Sequence, residues 1–292
     1  MNKVYNTVWN ESIGMWVVTS ELTRKGGQRP RQIRRTVLAG LVAGLLLPSA
    51  PTLATAWDSV TLGSGGTSGS MTLNAGDTAN NTTINSGGQQ YVSSGGSATS
   101  TTINAGLQYV SSGGSATSTT INGGGLQIVS SGGSATGTTI NSGGQQRVSS
   151  GGSATGTTIN SGGYQNVSSG GSATGTTINS GGQQRVSSGG SATGTTINSG
   201  GYQNVSSGGS ATSTTINSGG MLSVSSGGSA VDITQNSGGI IFADTSATLR
   251  GTNINGSFSI AGGSASNMLL ENGGYLSVLN GHQATSTTIN SG

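Results

Sequence analysis

An all-β solenoid, a right-handed parallel β-helix built from nineteen-residue coils, is predicted by three observations. A nineteen-residue unit recurs from Ile84 to Gly292, cleanest where the two copies starting at Ile140 and Ile159 follow one another; a short period of this kind means stacked structural units, not one globular core. Within the unit, residues that never change alternate with residues that vary, the period of two that a strand imposes. Glycine pairs such as Gly87-Gly88 and Gly95-Gly96 recur between the alternating stretches and supply corner backbone angles that residues with a Cβ avoid.

The first strand ends on a constant valine: Val92, Val110, Val129, Val148, Val167, Val186, Val205 and Val224. Two residues earlier stands Gln90, Gln108, Gln127, Gln146, Gln165, Gln184 or Gln203, replaced by Leu222 and Leu276 in degenerate coils. Valine and glutamine therefore point inward, and the variable residues between them point out. Stacked glutamines can satisfy their amides against the coils above and below, where a lone buried amide would be costly. A second strand is expected through Ala-Thr-x-Thr-Thr-Ile-Asn, with Ala98 and Ile103 inward and Thr99 and Thr101 outward. Asn85 and its equivalents tolerate the left-handed region and can ladder at a corner.

Each coil buries about one Ile, one Val and one Ala, at roughly 2 kcal/mol for each larger side chain, while ordering its backbone costs about 1 kcal/mol or more per residue. No coil stands alone, so stability comes from hydrogen bonds and contacts between neighbours. Roughly eleven coils at about 4.8 Å each make a rod on the order of 50 Å long; the repeat itself does not show the hand, which is taken as right because right-handed crossovers prevail. Gly106 lies in a coil one residue short, and residues 231–281 blur the period. Segment 55–83 is irregular and is expected to act as an N-terminal cap to the passenger repeats 84–292. The chain stops in mid-repeat.

Composition agrees with a rod more than with a packed domain: there are 56 glycines in 292 residues, no cysteine, and 6% charged residues, too few apolar groups for an ordinary core of this length. A Gly/Ser linker of this composition would not place Ile and Val at fixed offsets coil after coil. Seven of the ten basic residues lie in the first 35 positions; from Trp57 onward three arginines face five acids, 3 − 5 = −2, which leaves no basic footprint for nucleic acid.

The N-terminal charge belongs to a targeting segment, residues 1–54. Residues 25–35 form a positive n-region ending in Arg31-Gln-Ile-Arg-Arg35, residues 36–47 form an apolar h-region too short to anchor in a bilayer, and Ala54-Thr55-Ala56 offers cleavage after Ala54 or Ala56. Residues 1–24 precede this signal, an extension that ordinary secretory signals lack. It resembles the extended signal peptide of type V secretion, in which the extension is thought to slow inner-membrane translocation; Trp9 and Trp16 are then targeting features. Export places the chain in an oxidising compartment, where without cysteines it forms no disulfide.

The chemistry of a catalytic or cofactor site is poorly represented. Gly-Gly-Ser-Ala-Thr-Gly lacks the lysine of a phosphate loop, and no acidic residue occurs between Ile84 and Ala230, which excludes a calcium roll. The five acids of the exported part are scattered, His282 is alone and expected to be solvated, and no serine has a base beside it in sequence. No cofactor or metal is implied, and the chain reads as a non-enzyme. What remains is a regular display of hydroxyls at corners such as Asn141-Ser142-Gly143 and Ser149-Ser150-Gly151-Gly152. Two readings stay open for these serines: local turn hydrogen bonds, or acceptors for O-linked sugar.

The extended signal and the Ser/Thr-rich unit together resemble the self-associating autotransporter adhesins of enteric bacteria, the AIDA and TibA group. That resemblance implies a β-helical passenger on the cell surface or outer membrane, heptosylated on serine by a cytoplasmic heptosyltransferase before passing through the secretion machinery. It also implies auto-aggregation, biofilm formation and a host-cell surface receptor. The candidate acceptors are Ser86, Ser93, Ser111, Ser130, Ser142, Ser149, Ser161, Ser168, Ser180, Ser187, Ser199, Ser206 and Ser218. The family's translocator barrel is not found before Gly292, so a truncated frame or passenger fragment is expected. Two rival expectations are a Thr-rich solenoid binding ice or ordered water through Thr99-Ser-Thr101 rows, and a polysaccharide-active β-helix enzyme.

Overall fold

The computed structural model describes residues 5–10, 15–20 and 53–290. The chain divides into two units, Met1–Thr52 and Leu53–Gly292. In the first, strands Tyr5–Asn10 and Met15–Ser20 pair antiparallel with Trp9 opposite Trp16. The n-region 25–35 and h-region 36–47 lie outside the described residues.

The second unit is a parallel β-solenoid. A typical coil contributes Gln145–Val148, Ser153–Thr155 and Thr158–Ile159 before the next begins at Tyr164–Val167. The four-residue strands stack into an eleven-stranded sheet running from Ser70–Leu73 to Tyr275–Ser277. Neighbours are in register, Gln146 against Gln165 and Val148 against Val167. The two shorter strands of each coil stack in the same way, Ala154 on Ala173 and Ile159 on Ile178.

One expectation is corrected here. Ala-Thr-x-Thr-Thr-Ile-Asn is not one strand but two, Ser97–Thr99 and Thr102–Asn104 in the first full coil, broken at x. That position is left-handed in every regular coil: Ser100 at φ 55°, Ser118 at 56°, Gly137 at 65°. The bend reverses the alternation, so Thr101 is buried at 1% exposure instead of facing water with Thr99, as are Thr119, Thr138, Thr157, Thr176, Thr195 and Thr214.

The buried threonines complete the amide ladder. Each Gln Nε2 donates to the Oε1 of the glutamine one coil earlier, at 2.6–2.7 Å from Gln108 to Gln203. Each Oε1 also accepts the hydroxyl of the threonine eleven residues on, as Thr157 Oγ1 to Gln146 Oε1 at 3.2 Å. A second ladder of asparagines runs along one corner, Asn141 Nδ2 to Asn122 Oδ1 at 2.9 Å and so on to Asn236. Asn85 and its equivalents do not take left-handed angles; at that corner the glycine two residues on does, as Gly87 at φ 78° and Gly143 at φ 73°. Coil stacking is tight at the second glycine of each pair: a Cβ on Gly152 would lie 2.2 Å from the Val129 carbonyl oxygen, closer than any real contact.

The short coil omits one residue of a corner, where Ala105 alone turns at φ 57°, and the glutamine ladder passes it unbroken at 2.7 Å from Gln108 to Gln90. Ahead of the repeats, Ala56–Asp58, Thr61–Leu62 and Ser70–Leu73 pair in parallel with the coil above, and Met71 takes the glutamine position. After Val224 the regularity breaks. Ser229–Gln235 is a long strand with a register shift between Ala230 and Ile233, and Thr248–Asn253, Gly256–Ala261 and Ser264–Ser266 form an antiparallel meander. Its core is mainly apolar: Leu222, Ile233, Ile241, Leu249, Phe258 and Ile260 are buried, with Gln235 and Thr245 as the buried polar side chains among them.

Candidate functional site at the coil corners

Each regular coil turns at three corners, and each has a distinct backbone reason. At Asn141-Ser142-Gly143-Gly144 the Gly144 amide closes on the Asn141 carbonyl at 2.8 Å while Gly143 takes φ 73°. The serine side chain leans toward the following coil: a Cβ on Gly162 would meet Ser142 Oγ at 2.8 Å. The same closeness recurs at Gly181 over Ser161, Gly200 over Ser180, Gly219 over Ser199 and Gly238 over Ser218, at 2.5–2.7 Å. Glycine at that place thus serves the turn and leaves room for the hydroxyl one coil below.

At Ser149-Ser150-Gly151-Gly152 the Gly152 amide closes on Ser149 at 2.8 Å, and both Ser150 and Gly151 are left-handed. The first serine is half-buried and the second exposed. The third corner is the x position, exposed at Ser100, Ser118 and Ser213. The backbone amides there bond to the next coil, as Ser118 N–H to Thr136 O at 2.8 Å.

The predicted acceptors therefore fall into two groups. Ser86, Ser142, Ser161, Ser180, Ser199 and Ser218 are exposed on the first corner; Ser93, Ser111, Ser130, Ser149, Ser168, Ser187 and Ser206 are half-buried on the second. The exposed hydroxyls of that second corner belong to the next residue in each coil, from Ser94 through Ser150 to Ser207, and neither these nor the x-position serines are among the acceptors predicted from sequence. Among these corner serines of the described residues, Ser93 alone gives its hydroxyl a protein partner, Asn74 Oδ1 at 3.4 Å. Local turn bonding thus does not account for them; backbone amides make the turns.

Four of the five scattered acids, Asp58, Asp77, Asp244 and Glu271, and the histidine have structural partners. Asp77 accepts from the Asn74 and Thr55 amides at 2.9 and 2.8 Å, and the Asn74 bond, followed by the Thr55 bond, holds its carboxyl below the usual carboxylate value. Asp244 accepts from the Ser226 and Ser246 amides, and Glu271 from Gly238. His282 is half-buried with Nδ1 2.7 Å from Thr245 Oγ1, not simply solvated as expected.

Comparison with known proteins matches this architecture to a family. Residues 1–50 match the Extended Signal Peptide of Type V secretion system. Residues 58–106, 104–144, 141–182, 178–220 and 250–292 match the family described as adhesin of bacterial autotransporter system, probable stalk. The chain is similar to Autotransporter CRAC of Citrobacter rodentium (strain ICC168), 71% identical over 284 residues, which is 97% of this chain and 13% of that protein. It is also similar to the autotransporter adhesin/invasin TibA of Escherichia coli O78:H11 (strain H10407 / ETEC), 66% identical over 92 residues, 32% of this chain and 9% of that protein. A solved TibC-catalysed, hyper-glycosylated TibA fragment aligns at 42% identity and TM-score 0.48, over 79% of this chain and all of the fragment. The chain spans about an eighth or less of the curated relatives it matches. With an extended type V signal that directs it toward the cell surface or outer membrane, and stalk repeats over most of its length, the chain belongs to the adhesins of the bacterial autotransporter system.

Proposed function

We propose that this rod is a non-enzymatic adhesin passenger, capped by residues 55–83, whose corner serines carry O-linked heptose added by a cytoplasmic heptosyltransferase before export. Its repetitive faces then join copies of itself, giving bacterial aggregation, biofilm formation and attachment to a host-cell receptor. One observation carries the reading: exposed serine hydroxyls without protein partners recur on every regular coil at the strand spacing, about 4.8 Å. Many weak contacts in register give an avidity that one contact cannot, and the near absence of charge leaves little repulsion between rods. The exposed set Ser142, Ser161, Ser180 and Ser199, with the Ser150 and Ser169 type, is the first choice for modification. Settling of cells carrying the full-length protein tests this. Changing the exposed corner serines to Ala should abolish settling and remove the sugar mass; equal settling with the sugar gone would overturn the array.

Processing after Ala54 is supported over Ala56. The Thr55 amide donates to Asp77 and its carbonyl accepts from Thr78 N–H at 2.9 Å, while Ala56 opens the first strand of the rod. Cutting at Ala54 leaves the new ammonium of Thr55 beside the Asp77 carboxylate. Cutting at Ala56 would remove both bonds. The mass of the exported N-terminal peptide distinguishes them. The Thr99-Ser-Thr101 face required for ice binding loses one of its two rows, because Thr101 and its equivalents are inside.

A further inference from the structure

The outward side of the eleven-stranded sheet is chemically unlike the corners. Between residues 84 and 230 the sequence holds two charged side chains, Arg147 and Arg185, and both stand exposed on this face. Over four coils a second period, twice the coil length, is laid on the first: Gln145-Gln-Arg147, Tyr164-Gln-Asn166, Gln183-Gln-Arg185, Tyr202-Gln-Asn204. In-register pairing sets Asn166 between the two arginines and Gln183 between the two tyrosines. Like residues therefore repeat every two strands, about 10 Å apart.

Tyr164, Gln183, Arg185, Tyr202 and Asn204 line one shallow depression. Asn204 Nδ2 donates to the Tyr202 hydroxyl at 3.1 Å, and Asn166 Oδ1 is enclosed without a donor. Among the described residues neither guanidinium has a hydrogen-bonded carboxylate, and the nearest acids in sequence are Asp77 for Arg147 and Asp232 for Arg185. A guanidinium offers a planar fork to a carboxylate or sulfate. A tyrosine offers a flat apolar face with a hydroxyl at its edge, and the amides between them suit hydroxyl groups. An open strip of this kind fits an extended polymer. Two cations about 10 Å apart fit an anion on every second unit of that polymer; they fit poorly to a nucleic acid strand, with a phosphate about every 3.4 Å.

We propose that the outward face over residues 145–204 binds an extended acidic glycan with an anionic group on alternate sugars, each anion on an arginine and each intervening sugar on a tyrosine. This names a receptor class for the adhesin reading and rests on that reading for its location only; serine glycosylation is not needed.

The test uses the purified full chain and immobilised hyaluronan, which has a carboxylate on every second sugar. Binding should weaken with salt, fall roughly tenfold in R147N/R185N, the scale of two exposed charge contacts, and stay unchanged in R250Q. Y164Q/Y202Q should also weaken binding while leaving its salt dependence in place. Each of these four substitutions installs the residue that the adjacent coil already has at that position, so the coil is preserved, and circular dichroism checks it. No binding, equal binding by R147N/R185N, equal binding to neutral dextran, or tighter binding to single-stranded DNA would each overturn the proposal. None of these outcomes bears on the settling assay of the serine variants, so the two ideas fail separately.

Discussion

From Gln90 to Gln203 the interior of the rod is wired by amides and hydroxyls, whereas at Leu222 and Ile233 the equivalent places are filled by hydrocarbon. Where the ladder glutamine becomes Leu222, the residue eleven places on, threonine in all seven glutamine coils, becomes Ile233. Both Leu222 and Ile233 are fully buried. Hydrogen-bond accounting explains the joint change: from Thr101 to Thr214 each buried hydroxyl donates to a Gln Oε1, and leucine at the glutamine place would leave that hydroxyl without an acceptor. At the other end Gln90 Nε2 reaches Thr82 Oγ1 at 3.3 Å and the Met71 sulfur at 3.6 Å, so the ladder closes on a soft acceptor. The polar region can be extended by repetition without changing shape. The apolar region interrupts the repetition with a bulge and antiparallel strands before parallel stacking resumes at Gln283–Thr285 and Thr288–Asn290.

The largest break in this contrast is expected at stacking glycines. In the regular region Gly152→Ala forces a Cβ into the Val129 carbonyl, and a loss of about 3 kcal/mol or more is expected. In the C-terminal region Gly273 has open space around it at φ 83°, so Gly273→Ala should cost only the left-handed strain, about 1–2 kcal/mol. Coil-resolved amide exchange is the suitable measurement, since a solenoid need not unfold in one step.

Next in size, Gln146→Leu strands the Thr157 hydroxyl and the Gln165 amide, and protection of the coils on either side should fall by about 2–4 kcal/mol. Q146L/T157I, which copies the Leu222 and Ile233 arrangement, should recover part of that loss. A double-mutant cycle that came out additive would show that the two positions are not coupled. The reverse experiment is gentler. Leu222→Gln can donate to Gln203 Oε1 but finds Ile233 where its own oxygen needs a hydroxyl, a loss of about 1–3 kcal/mol; L222Q/I233T should restore it.

The smallest effect concerns Asp77 at the N-terminal end. Its folded pKa lies below the unfolded value of about 3.9, because the Asn74 and Thr55 amides favour the carboxylate. Its contribution is therefore complete above that unfolded value and disappears as pH falls through the folded one. Exchange of the Asn74 amide, compared at pH 5 and pH 2, should show this loss, and Asp77→Asn should remove the pH dependence.

Much of the interior was legible beforehand. The invariant Val148 and Gln146, with Arg147 and Asn166 varying between their kind, announced strand, direction and ladder together, because period-two alternation is a local property. The break at x was also written there and missed: Gly137, Gly156, Asn81, Asp232 and Asn267 share a place with Ser100 and Ser118, and glycine, asparagine and aspartate together signal a left-handed residue. Reading through it as continuous strand turned Thr101 the wrong way. The serine corners were visible as a class, but Ser149 and Ser150 could not be told apart, since which is exposed depends on two successive left-handed residues.

By itself the sequence determined the coil length, the inward set of Val, Gln, Ala and Ile, the amide ladders and the route of export, because each follows from repetition and from polarity near in the chain. Tertiary structure alone decided which hydroxyls stand free, that Thr157 closes the ladder from inside, and that Arg147, Tyr164, Arg185 and Tyr202 share one face. Those depend on how each coil rests on the one before it, where side chains nineteen residues apart become nearest neighbours.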